Sequence, residues 1–183
     1  MKTEKLHAKI QGWAAVVLYE DTVSREAAVR FCDRLVERFW PSREFEIHWA
    51  SFSTLNEQSA AFADKAARAD VLIFATPAGG TMPEETVAWI ENSLATRGDH
   101  EGALVGLLHD FQGIHTEPAS WQKHAYLRNL AHRLSMDYWT DIPQHLSRTI
   151  PDSLDSYSDR ADRVTHVLDE ILHQNVLPPG LHN

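Results

Sequence analysis

One cysteine, Cys32, stands in a chain of 183 residues, which excludes an intrachain disulfide and any zinc site built on several thiolates. It shares a helical stripe with Ala28, Phe31 and Leu35, so packing is its expected role. Long apolar runs are missing too: none approaches the roughly 18 residues of a membrane span, and no membrane association is predicted. The opening MKTEKLHAKIQG is polar and holds no apolar signal-peptide core, so the expected location is the cytoplasm. Basic residues are outnumbered, with 17 Lys and Arg against 26 Asp and Glu for a formal charge of −9. No local cluster of Lys and Arg offsets that balance, which argues against nucleic acid as a partner. Eleven histidines are many for this length, yet no HxH, HExxH or i,i+4 His pair occurs, and no metal site is predicted.

What is present is an ordinary globular composition, 43% hydrophobic and 23% charged. The length suits a single domain over residues 1–183, enough to bury about 70% of the surface of the unfolded chain. Residues 1–11 read as a polar arm and residues 175–183 as a tail. Residues 13–19, WAAVVLY, form an uninterrupted apolar run. Ser24 is a good N-cap for a helix in which Ala27, Ala28, Phe31, Leu35 and Phe39 recur at helical spacing before Pro41. Residues 44–52 alternate, with Phe45, Ile47 and Trp49 facing one way and Glu46 and His48 the other. Thr54 and Glu57 have the spacing of a capping box, predicting a helix that runs to about Ala67.

The stretch at residues 69–92, ADVLIFATPAGGTMPEETVAWIEN, is the most informative. It predicts a strand buried on both faces, a loop of small residues, and a helix opening on a second capping box, Thr81 and Glu84, with Pro83 in its first turn. Residues 102–108, GALVGLL, are a third apolar run, followed by His109, Asp110, Phe111, Gln112 and Gly113. A helix from about Pro118 places Leu127, Leu130, Ala131 and Leu134 on one face; Trp121 lies off that face, either over the crevice or in a partner interface. Residues 137–142 alternate again and are closed by Pro143, and a last helix is expected over about residues 156–173.

Five β-α units in sequence predict a parallel sheet covered on both faces. Runs that are apolar throughout belong inside such a sheet, whereas alternating runs suit its edges. Putting the second and fifth strands at the edges selects the order 2-1-3-4-5, a three-layer α/β flavodoxin-like arrangement. Ligands of such sheets sit beyond the C-terminal ends of strands 1 and 3, where the order reverses. Residues 20–25, 76–81 and 109–113 converge there.

With these residues placed, the chain resembles flavodoxin-like NAD(P)H-dependent FMN reductases. The resemblance rests on the loop from Thr76 to Pro83 and on the segment LVGLLHD, a loop holding Gly113, and AYLRNLAHRLSMDYW; it covers about residues 13–145. It implies FMN as cofactor and a hydride-transferring oxidoreductase that needs no catalytic acid or base. Carried over, Thr22, Ser24 and Arg25 would take the phosphate. Thr76, Pro77, Ala78, Gly79, Gly80 and Thr81 would line one side of the flavin ring, and His109, Asp110 and Phe111 its edge.

The sequence departs from that pattern in three places. Glu20 and Asp21 put two carboxylates in the phosphate loop, Ala78 stands where many relatives carry an aromatic, and His109-Asp110 replaces the usual small residues. These departures support a second reading, a non-enzymatic flavodoxin-like domain with a degenerate crevice that acts through a partner or as a homodimer. The acidic pair also resembles the pocket of response-regulator receiver domains, but Phe74-Ala75-Thr76 supplies no phosphoacceptor Asp, and no Lys follows the fifth strand. Hydrolysis or transfer using His109 with Asp110 or Asp21 is a further reading, for which no motif places a nucleophile.

Overall fold

Apolar and alternating runs sort into central and edge strands. The computed structural model describes residues 12–39, 44–98, 100–110, 122–141 and 171. In chain order these form β1 (Trp13–Tyr19), α1 (Thr22–Phe39), β2 (Phe45–Ser51), a 3-10 helix (Phe52–Glu57), α2 (Ala60–Ala67), β3 (Val71–Pro77), α3 (Glu84–Leu94), β4 (Ala103–His109), α4 (Gln122–Arg133) and β5 (Asp137–Thr140). Every neighbouring pair is parallel and the order is β2-β1-β3-β4-β5, as predicted. Six consecutive residues are buried in each of β3 and β4, whereas β5 has none and β2 only Ala50. The predicted N-terminal arm, the helix expected over residues 156–173 apart from Ile171, and the tail lie outside the described residues, as does Trp121.

Strand alternation divides the core in two. On one side α1 lays Ala28, Phe31, Cys32 and Leu35 on Ala15, Val17, Val71, Ile73 and Val105. On the other, Phe62 of α2, Trp89 and Ile90 of α3, and Leu127 and Leu130 of α4 cover Val16, Leu18, Leu72, Phe74, Leu104 and Leu108. Cys32 is packed as expected; burial, with the charge of Asp33 adding to it, pushes its thiol up to about 12, so it is not a nucleophile at neutral pH.

Three helix starts differ from the sequence reading. Helix α1 begins at Thr22, so its N-cap position falls on Asp21, whose carboxylate accepts from the Ser24 amide at 2.7 Å; Ser24 is inside the first turn and fully buried. The Thr54 and Glu57 pair belongs to the 3-10 helix, which turns Phe52 and Leu55 into the core, and α2 starts only after Ser59, whose hydroxyl accepts from the Phe62 amide at 3.3 Å. Helix α3 starts at Glu84 with Pro83 in the N-cap place and no side-chain cap. Proline disfavours helical angles at the preceding residue, and Met82 is drawn into the core instead, so Thr81 is left exposed two residues too early to cap. Glu84 and Glu85 in the first turn still suit the positive end of the helix.

Helix α4 meets the sheet through a polar contact. A Cβ on Gly106 would lie 2.8 Å from the Tyr138 hydroxyl, so glycine in the middle of β4 leaves room for that group. The hydroxyl in turn pairs with Nδ1 of His124 at 3.0 Å. Burial, with the charge of Arg128 adding to it, pulls His124 down to about 4, so it stays neutral in the fold at neutral pH. The unfolded chain takes up a proton near pH 6.5 and the folded chain does not. Stability from the neutral ring is therefore complete above pH 6.5 and falls as the pH drops from there toward 4, by up to about 3 kcal/mol. Urea denaturation of wild type and His124→Gln across that range should show the difference between them shrinking on acidification.

Candidate functional site

At the C-terminal edge of the sheet, consecutive residues after β1 part company. Glu20 continues the side occupied by Val16 and Leu18, and Asp21 turns toward α1. Backbone bonds carry the sheet into the loops: the Glu20 amide donates to the Ala75 carbonyl at 3.0 Å and the Ala78 amide to the His109 carbonyl at 2.7 Å. The loops predicted to converge do converge, and each carboxylate organises a separate cluster.

The first cluster lies on the α1 side. One carboxylate oxygen of Asp21 accepts from both the amide and the hydroxyl of Ser24, each at 2.7 Å. The Ser24 amide, opposed by partial burial and aided by the Ser24 hydroxyl and nearby His109, holds the Asp21 carboxyl below its ordinary value. His109 Nε2 lies 2.9 Å from the Ser24 hydroxyl and 3.8 Å from the Asp21 carboxylate. A serine hydroxyl has one proton and a carboxylate only accepts, so that proton goes to Asp21 and His109 is the donor to the Ser24 oxygen. This direction is the reverse of what a base activating a serine requires. Ser24 is also fully buried, and Asp110, exposed at φ 61°, is not paired with His109. The geometry therefore does not assemble a nucleophile, base and orienting acid from these residues.

The second cluster lies on the α4 side. Lys123, its side chain 3% exposed, donates to the Glu20 carboxylate at 2.7 Å, the Thr76 hydroxyl at 2.8 Å and the Pro77 carbonyl at 3.1 Å. The Thr76 hydroxyl donates to the same Glu20 oxygen. Thr76 is fully buried, and its Glu20 acceptor is partly exposed. Lys123 was not singled out in the sequence, although a signal was present. It stands one turn before Leu127 on the stripe that Leu127, Leu130 and Ala131 define, and a lysine on a buried stripe needs a partner.

The remaining predicted residues are placed as follows. Thr22 and Arg25 are exposed, and the Arg25 guanidinium sits 5.8 Å above the Trp49 ring, a cation–π distance. Pro77 is half-buried and Ala78 buried, while Gly79, Gly80 and Thr81 are exposed. Gly80 has φ 79°, the turn that its residue type permits. Phe111 lies outside the described residues. Among the described residues no group of His, Cys, Asp and Glu could hold a metal ion, and no helix is long and apolar enough to cross a membrane.

A phosphate dianion at the start of α1 needs the donors there. Asp21 already takes the amide and hydroxyl of Ser24, and Arg25 is turned to Trp49. Of the three residues expected to take the phosphate of FMN, Ser24 and Arg25 are thus engaged within the chain and Thr22 is exposed, and the exposed backbone at Gly79 and Gly80 has open space beside it.

No protein-family model matches the chain, and no curated protein sequence does. Among solved structures, the chain resembles an azoreductase from Bacillus anthracis str. Sterne, with 14% identity, 88% of this chain and 96% of that one covered, and a TM-score of 0.50. A short-chain flavodoxin associated with a bacterial microcompartment matches with 15% identity, coverage of 90% and 99%, and a TM-score of 0.49. General stress protein 14 of Treponema denticola, solved in complex with FMN, matches with 12% identity, coverage of 87% and 95%, and a TM-score of 0.43. The likeness to the azoreductase, together with the sheet order, establishes a flavodoxin-like fold.

Asp21→Ala should cost about 1 kcal/mol through the lost cap. Because the folded Asp21 carboxyl titrates below its unfolded value, its stabilisation is complete above the ordinary carboxylate range. It disappears as the pH falls through the folded value, below about pH 4. Denaturation midpoints of wild type and variant should differ at pH 7 and converge under acid.

Proposed function

We propose that this chain is a flavodoxin-like domain whose ligand crevice is filled by its own side chains and which acts through protein contact, with a partner or with a second copy of itself. The observation that carries this reading is that Asp21 takes the amide and hydroxyl of Ser24 at the α1 start, with a second carboxylate, Glu20, next to it in the chain. Carboxylates near a phosphate repel it, and the crevice cation that could offset them, Lys123, is already neutralised by Glu20.

The second reading is an FMN-binding NAD(P)H-dependent oxidoreductase, the class implied by the resemblance and by the azoreductase whose fold the chain shares. It is favoured by one feature, the exposed glycine loop after β3 with open space at Gly79 and Gly80. On that reading His109, Asp110 and Phe111 flank the ring edge, and Thr22 is the hydroxyl left to meet the phosphate.

An absorbance spectrum and an FMN titration separate the two. The protein as purified should be colourless and should bind FMN no more tightly than about 1 mM. A yellow protein, or micromolar FMN affinity, overturns the proposal in favour of the oxidoreductase. Analytical ultracentrifugation tests the contact half of the proposal; a monomer at all concentrations that enters no complex counts against it.

A further inference from the structure

Lys123 is nearly sealed from solvent yet each of its ammonium protons has an acceptor: a carboxylate at 2.7 Å, a hydroxyl at 2.8 Å and a carbonyl at 3.1 Å. These oxygens come from two segments, Glu20 just after β1 and the adjacent Thr76 and Pro77 at the end of β3, and α4 supplies only the tether. Three converging acceptors match the three donors of a primary ammonium group; a planar guanidinium, with five donors in a fork, does not converge on them. One carboxylate balances one positive charge.

We propose that Glu20, Thr76 and the Pro77 carbonyl form a primary-ammonium binding site, that Lys123 occupies it as a tethered ligand, and that the small molecules able to take its place in the crevice are primary alkylamines. The site holds the loops after β1 and β3 together at the switch point of the sheet. The inference concerns the same crevice as the proposed function and rests on its being filled from within.

The test is chemical rescue. Lys123→Ala keeps Cβ, so the missing atoms are those of n-propylammonium. In thermal unfolding of the full chain, Lys123→Ala should lower Tm by about 10 °C. n-Propylammonium chloride should restore about 4 °C at ten times its Kd. Tetramethylammonium chloride at equal ionic strength has no N–H and should restore nothing. Wild type should not respond, and neither should Lys65→Ala, which removes an exposed lysine paired with Glu46. If Lys123→Ala is unfolded without additive, n-propylammonium should recover its circular dichroism. No recovery, or equal recovery with tetramethylammonium, overturns the proposal.

A measurement on the unsubstituted protein stands beside it. The Lys123 ammonium should give a slowly exchanging 15N–1H signal at neutral pH, where exposed lysine ammonium protons exchange too fast to be seen; its absence overturns the proposal. Flavin binding by wild type overturns the proposed function alone, because the rescue and the ammonium signal do not depend on it.

Discussion

The point at which the chain leaves β1 for α1 decides what happens at the working edge of this sheet. Glu20 and Asp21 are adjacent in sequence, and if they shared one face their charges would repel each other. Glu20 keeps the ladder going through its amide to the Ala75 carbonyl while Asp21 turns to the start of α1, so each is free to organise its own surroundings. Asp21 meets the positive end of α1 and the Ser24 amide, a favourable place for a carboxylate. Glu20 meets Lys123 across the top of β3. One step along the backbone converts an unfavourable pair of like charges into two separate stabilised clusters.

The Glu20–Lys123 pair is the costlier of the two. Sealing Lys123 and partly burying Glu20 forfeits hydration, and mutual attraction repays that only when the remaining donors and acceptors are also met. Thr76 and the Pro77 carbonyl meet them here. Lys123 also stands in the first turn of α4, at the positive end of a helix with no acidic residue in that turn. That is the wrong end for a cation, and Glu20, supplied from β1, offsets both the lysine and the helix terminus. Removing Glu20 therefore leaves the Lys123 ammonium against two unfavourable terms, its own desolvation and the helix terminus, rather than one.

The architecture was legible because it depends on composition over whole strands. WAAVVLY, the run around Leu72 and the run around Leu104 could only be central, and Glu46 and His48 in β2 could only be at an edge. Helix starts were less legible, since a capping-box spacing is local and burial is not. Thr81 and Glu84 have the right separation, but Met82 between them is drawn into the core and Pro83 constrains it. Ser24 has the right chemistry to cap, but its place in α1 is inside the first turn, and Asp21, three residues earlier, caps the helix by accepting from the Ser24 amide. In the candidate site the convergence of loops could be read from the strand order, whereas the pairings could not. Nothing in sequence ties Glu20 to a lysine 103 residues away; only the sheet brings them together.

A shared fold brings a crevice, not its chemistry. In this chain the local and global electrostatics of the crevice have the same sign. The formal charge is −9, which lowers the local concentration of anions near the surface before any contact is made. At the switch point itself, the helix terminus and the buried cation, the two features that could reverse that sign, are each matched to a carboxylate of the chain. An anionic ligand drawn to either of these two points would have to displace Asp21 from the Ser24 donors or Glu20 from Lys123, and either displacement leaves a carboxylate without its partner beside the incoming charge. A cationic amine meets neither obstacle, and its competitor is a lysine already held there by three oxygens.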